Sequence, residues 1–162
     1  MQANFGGARQ LLIAGVPVGR ELLTSRQAAL GVSRNQVDRG SIIIIVATDA
    51  PLLPHQLKRI ARRAALGMAR TGGTASNGSG DIFVAFSTAN EGSASARQAA
   101  AVTMLSNSQI SGLFEATVDA TEEAIINAMV AAETMVGRDG NRSEALPLDQ
   151  LQAILTRYNR LQ

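Results

Sequence analysis

The chain has 162 residues, of which 46% are hydrophobic, 17% charged and 3% aromatic, with no Cys and no Trp. That composition excludes a disordered tail, a collagen-like repeat and a disulfide-stapled miniprotein, and the length suits one core, so a single domain over 1–162 is expected. Fifteen Lys and Arg against 13 Asp and Glu leave a formal charge of only +2, from which no nucleic-acid partner is read. Lacking Cys and having one His, His55, the sequence excludes thiolate zinc sites, thiol nucleophiles and His-rich metal cages.

In chain order, MQANFGGARQ opens on strand-like sequence and lacks the charged start and apolar run of a signal peptide. Leu11 to Glu21, LLIAGVPVGRE, mixes short apolar runs with Gly15, Pro17 and Gly19 and predicts an edge strand or hairpin. Thr24 to Gly40 is polar and aperiodic, with five charged or amide residues in Ser33 to Arg39, and reads as a loop with at most one helical turn. Ser41 to Thr48, SIIIIVAT, is β-branched almost throughout and apolar on both faces, which predicts a strand buried inside a layered fold. Its run Ile42 to Ala47 is the longest apolar stretch at six residues. A membrane span needs about 18–20, so no membrane partner is expected.

Pro54 suits a first helical turn, and Leu57, Ile60, Ala61, Ala64, Ala65 and Met68 then recur at helical spacing up to the stop Gly72-Gly73. Lys58, Arg59, Arg62 and Arg63 fall on the other side and read as a solvated basic face. Thr71 to Gly80, TGGTASNGSG, holds four Gly, so its backbone is free to approach another group closely. It lacks the Lys and spacing of a phosphate-binding loop and precedes a strand rather than a helix. Asp81 to Thr88 alternates as a second core strand, and Asn90 to Ala96 is a small-residue stretch read as mobile. From Ser108 to Val136 the apolar spacing predicts one long helix, or two broken near Thr117 to Thr121, ended by Gly137 and a turn at Arg138 to Asn141. Pro147 opens a last helix with Leu148, Leu151, Ile154, Leu155 and Tyr158 on one face. The order β, β, α, β, α, α suggests a layered α+β or α/β fold.

Chemistry has few candidates. His55, beside Pro54, reads as a partly exposed helix-start residue rather than a base. Gly40-Ser41, at the mouth of the apolar strand, has two readings. Ser41 is either a small residue starting a strand, or a hydroxyl that cuts its own peptide bond and leaves an α-amine, of pKa near 7.7, to serve as base where no His is at hand.

The run GSIIIIVATDAPLLPHQLKRIARRAALGMARTGG, followed by GSGDIFVAFSTAN, resembles the self-cleaving N-terminal-nucleophile serine aminopeptidases, the DmpA-like L-aminopeptidase/D-esterase family that includes the β-peptidyl aminopeptidases. QANFGG and LLIAGVPVGREL are similar to the end of that family's larger α-chain, so the resemblance implies that 1–40 closes the α-chain and 41–162 is the β-chain. By the same resemblance Gly40-Ser41 is the self-cleavage bond and Ser41 the nucleophile. Asn4 matches an oxyanion donor. Ser79 and Asp81, in GSGD, match residues that handle protons or hold the substrate's amino group, with Asp81 standing where relatives carry Glu.

The implied fold is an αββα sandwich of two β-sheets between helical layers, shared with the ornithine acetyltransferases and here incomplete, because the family's α-chain extends upstream of the Asn. Implied substrates are short peptides, amino-acid amides or esters, the implied assembly is a homo-oligomer of processed αβ units, and no cofactor or metal is implied. Half of a two-sheet core predicts exposed apolar strand faces and self-association. Two other functions stay in view: a catalytically silent truncated chain or assembly module, and an acyltransferase like the ornithine acetyltransferases, whose nucleophile is Thr rather than Ser. Localisation is left open, with the cytoplasm favoured over the periplasm.

Overall fold

The structure is a computed structural model that describes residues 1–30, 40–95 and 97–161, with side chains left aside at 25–30. Its elements are β1 (Gln2–Asn4), α1 (Val18–Leu30), β2 (Ser41–Thr48), α2 (Pro54–Arg70), β3 (Ile82–Ser87), α3 (Ser111–Ala131), β4 (Met135–Val136), β5 (Arg142–Ser143) and α4 (Leu148–Arg157). Among the described residues, strands pair as a three-stranded sheet in the order β1-β2-β3 and a two-stranded ribbon β4-β5. β1 runs antiparallel to β2, with Asn4 opposite Ser41, and β2 runs parallel to β3, with Ile43 opposite Ile82 as the first pair. A parallel pair needs a crossover, and α2 supplies it.

α2 is built as its sequence predicts. Pro54 occupies its first turn, where a missing N–H is harmless, and the Gln56 side chain accepts from the Leu53 amide in front of it. At the other end Gly72 turns left-handed at φ +94°, while the Gly73 amide reaches the Met68 carbonyl and the Gly72 amide that of Ala69, a Schellman stop. The inner face of α2 carries Ile60, Ala64 and Met68. Ala64 and Met68 pack with Ile42 and Ile44 of β2 and Ile125 of α3.

α3 is one continuous helix, without the break expected at Thr117 to Thr121. Both threonines are buried, and their hydroxyls donate to the carbonyls one turn back, at 2.6 Å to Leu113 and 2.7 Å to Thr117. Polar side chains satisfied by their own helix do not interrupt it. Thr121 also faces Gly67 of α2, whose hypothetical Cβ would lie 2.5 Å from the Val118 carbonyl oxygen, so the two helices cross at backbone distance. α3 ends at Ala131 rather than Val136: Met135 and Val136 pair with Ser143 and Arg142 in a ribbon whose tip is the Gly137–Asn141 turn.

The largest departure from expectation lies at Leu11 to Leu30. A tight turn joins Ile13 to Val16, with φ of 51° at Ala14 and 75° at Gly15, so a hairpin of the smallest size is present. Pro17 does not edge a strand; its carbonyl accepts from Arg20 and Glu21 and starts α1, which takes up Val18–Leu30. The helix formers Arg20, Glu21, Leu22 and Leu23 carried that signal, masked by Gly19. Gly19 is required by tertiary contact, since a Cβ there would sit 1.8 Å from the Ala8 carbonyl oxygen. Val18 is fully buried against Leu151, Ile154 and Leu155 of α4. In α4 itself Leu148 and Tyr158, expected on the buried face, are 46% and 40% exposed. The part of the expected loop at 31–39 lies outside the described residues, as does Ala96 of the small-residue stretch; within that stretch Ser93–Ser95 form a 3-10 turn.

β2 is not buried on both faces as its sequence predicts, while β3 alternates as expected, and the two share the exposed apolar strand face that the resemblance implies for half of a two-sheet core. Their inward residues, Ile42, Ile44 and half-buried Phe83, meet α2 and α3. On the other face Ile43, Ile45, Ile82, Val84 and Phe86 are between 39% and 58% exposed, an open apolar sheet surface. No described helix is long and apolar enough to cross a membrane.

Candidate active site

Ser41 opens β2, and the pleat aims its side chain to the open face together with Ile43 and Ile45. Asn4, the last residue of β1, stands directly opposite. Directly paired residues on one face have Cβ atoms about 4.5–5.5 Å apart, so the Asn4 and Ser41 side chains leave the sheet side by side. The chain before Ser41 must be glycine. A Cβ on Gly40 would fall 1.7 Å from the Asn4 carbonyl oxygen and 2.7 Å from the Phe5 Cα, so the end of β1 rests on the peptide that precedes the serine.

Two more glycines clear the way for the same segment. A Cβ on Gly72 would lie 1.8 Å from the Gln10 carbonyl oxygen, and one on Gly73 would lie 2.7 Å from the Phe5 ring. Phe5 packs into the cluster of Ile42, Ile44, Ala64, Met68 and Ile125, which ties Asn4, its neighbour in sequence, to the main core. The Leu12 amide donates to the Thr71 carbonyl at 3.0 Å, and the Gln10 side chain to Thr74 Oγ1 at 3.3 Å. The glycine-rich loop and the helix end before it are thus a docking surface for the segment from Phe5 to Leu12 that follows Asn4.

The same loop delivers the third component. A turn closed by the Ser79 amide on the Ser76 carbonyl, at 2.8 Å, brings Ser79, Gly80 and Asp81 to the start of β2. The Gly80 backbone N–H donates to Ser41 Oγ at 3.0 Å. Asp81 Oδ1 accepts from the Ile42 amide at 3.1 Å and from Ser79 Oγ at 2.5 Å. All four expected side chains, Ser41, Asn4, Ser79 and Asp81, therefore meet at one end of the sheet. Gly80 was missed by sequence reasoning because its contribution is a backbone N–H, which no side-chain pattern reports; the four glycines of the loop were the available sign.

In chemical terms the arrangement is a hydroxyl flanked by a backbone amide and a neutral side-chain amide, the donor types that stabilise a tetrahedral oxyanion in acyl transfer. One carboxylate, that of Asp81, follows Gly80 and accepts from the amide of Ile42, the residue after Ser41. The open cleft of about 1040 Å³ that runs from Asn4 and Phe5 past Met129 to Leu146 and Ile154 takes in none of Ser41, Ser79 and Asp81. His55 is the exposed second residue of α2. Of the basic residues of α2, Lys58 and Arg62 are exposed as expected, whereas Arg59 and Arg63 are not simply solvated. Arg63 and Arg59 stack over the Phe114 ring with centroid distances of 3.8 and 5.0 Å, and Arg59 also donates to Asn107 at 3.0 Å. Among the described residues no group of three or more His, Asp and Glu is placed to hold a metal ion.

Comparisons with known proteins place the chain among peptidases. The chain is 48% identical to the β-peptidyl aminopeptidase BapA of Sphingosinicella microcystinivorans, over 99% of its own length and 43% of the relative's. Its structure superposes on a Pyrococcus horikoshii protein with a TM-score of 0.84 at 51% identity, covering 98% of this chain and 41% of that one. It also superposes on the L-aminopeptidase D-Ala-esterase/amidase of Ochrobactrum anthropi, a prototype serine aminopeptidase with a variant of the Ntn hydrolase fold, with a TM-score of 0.80 at 42% identity, covering 97% of this chain and 42% of that one. The chain thus spans about two-fifths of the length of these relatives, and its α+β fold is a part of theirs. Peptidase family S58 matches residues 1–143, most of the chain, which therefore belongs to that family.

Proposed function

We propose that this chain is the nucleophile-bearing portion of a self-processing serine aminopeptidase, cut at Gly40-Ser41 into an α-chain end, 1–40, and a β-chain, 41–162. The observation that carries the reading is the placement of Ser41 at the first residue of β2, with the Gly80 N–H on its Oγ and Asn4 across the ladder. In self-cleavage Ser41 Oγ attacks the Gly40 carbonyl carbon, the C–N bond breaks as the acyl group moves to oxygen, and the nitrogen takes the hydroxyl proton. Water then hydrolyses the ester, which releases the Gly40 carboxylate and restores the Ser41 hydroxyl beside the α-amine that the acyl shift has freed. At a pKa near 7.7 that amine is partly unprotonated at neutral pH, accepts the hydroxyl proton in the next attack and returns it to the leaving amine.

Asn4 holds the oxyanion in both reactions, the Gly80 N–H steadies the Ser41 Oγ it contacts, and Ser79 and Asp81 order the nucleophile's end of the sheet. The relatives named above support short peptides, amino-acid amides or esters as substrates. The open face of Ile43, Ile45, Ile82, Val84 and Phe86 supports assembly with further protein, including a homo-oligomer of processed units, because an apolar surface of this kind is unfavourable in water.

Intact mass under denaturing conditions, beside a Ser41→Ala control, is the test. Fragments 1–40 and 41–162 from the parent and one chain from the control are expected. A single uncut chain from both would overturn self-processing by this chain and leave the catalytically silent reading.

A further inference from the structure

We infer that Asp81 is a positioning residue that extends the β2–β3 ladder by one rung to fix the nucleophile, and that it does not carry the Ser41 proton. The regular pairing of β2 with β3 begins at Ile43 and Ile82. One residue earlier β3 has not started, while Ile42 is 1% exposed, so an Ile42 amide left without an acceptor would be a buried orphan donor. Asp81 Oδ1 supplies that acceptor at 3.1 Å. The same oxygen takes the Ser79 hydroxyl, so the loop that ends in Gly80 is tied to the strand end it faces.

Ser41 and Ile42 point to opposite faces of the strand, which lets the clamp grip the backbone from within the sheet while Ser41 Oγ meets the Gly80 N–H. Asp81 therefore acts through the geometry of Ser41 and Gly80. The role requires an acceptor oxygen and no negative charge, and an Asn side chain provides one.

This inference rests on the proposed reading for Ser41 as nucleophile, and its test separates the two. The 162-residue chain is compared with Asp81→Asn and Asp81→Ala by hydrogen exchange and nitrogen–proton NMR at the Ile42 amide, and by the rate of Gly40-Ser41 cleavage against pH. Slow exchange of Ile42 is expected in the parent and in Asp81→Asn, with a loss of protection of about 100-fold in Asp81→Ala. Cleavage should stay within about tenfold of the parent in Asp81→Asn, with the same pH profile, and fall by about 100-fold in Asp81→Ala, the scale of a small misplacement of reacting atoms. Asp81→Asn as slow as Asp81→Ala with Ile42 still protected would overturn the inference in favour of proton transfer. Ile42 exchange indifferent to Asp81→Ala would overturn it as well. Should Asp81→Ala not fold, Asp81→Leu, of similar volume and without an acceptor oxygen, stands in for it with the same expected losses. A parent chain that never cuts removes the proposed function, while the Ile42 readouts still decide the role of Asp81.

Discussion

Along β2 alternate residues meet different surroundings. Ile42 and Ile44 are 1% and 4% exposed and pack on α2 and α3, whereas Ile43 and Ile45, of identical chemistry, are 39% and 58% exposed on the other face. Ser41 and Asn4 belong to that second face. The covered face supplies the stability and the open face carries the proposed nucleophile, and the pleat alone separates them. A slip of one residue in the pairing of β2 would bury the serine and expose the core.

The sharpest way to break the comparison is to truncate one isoleucine on each face and measure urea unfolding. Ile44→Ala should cost about 3 kcal/mol, the range for a buried aliphatic deletion with its residual cavity. Ile45→Ala should cost less than about 1 kcal/mol and weaken self-association in sedimentation. Equal costs would mean that the open face is covered in solution by a second copy.

A smaller effect is expected in the helical layer behind the covered face. Gly67→Ala gains about 1 kcal/mol of helix propensity but forces a methyl against the Val118 carbonyl, where overpacking costs about 1–3 kcal/mol. A net loss of about 1 kcal/mol in the same unfolding assay is expected, and a stabilised variant would show that α2 and α3 do not cross at backbone distance.

The smallest effect concerns the tie between α1 and α4, remote from both faces. Glu21 accepts from the Tyr158 hydroxyl at 2.7 Å and pairs with Arg157. Chiefly through the Tyr158 bond, its carboxyl is held below the usual range. A depressed folded-state pKa stabilises the fold above the unfolded value and loses that contribution as the pH falls through the folded one. Melting curves of the parent and Glu21→Gln should therefore differ slightly at neutral pH and converge in acid. Divergence in acid would remove this assignment.

Much of the layout was legible in one dimension. Helical periodicity from Pro54 to Met68 with its Gly72-Gly73 stop marked α2, and β-branching marked Ser41 to Thr48 as a strand. The residues that converge at Ser41 were reached through resemblance to a family, since nothing in the spacing of Asn4, Ser41, Ser79 and Asp81 makes them neighbours. Misreadings fell where a tertiary contact overrides a local rule. Gly19 spoils a helical pattern because Ala8 passes against it, and Thr117 and Thr121 look like a break because their back-bonding hydroxyls are invisible in sequence.

By itself the sequence determined what depends on neighbours along the chain: the periodicity of α2, its proline start and glycine stop, the strand character of β2, and the exclusion of thiol chemistry. Tertiary structure alone decided which face of β2 is covered, because alternating isoleucines are chemically equal until helices pack on one side. It also decided that a backbone amide from Gly80 and a carboxylate from Asp81 meet Ser41 and Ile42, since a separation of 39 positions along the chain is closed by the parallel crossover and not by any local preference.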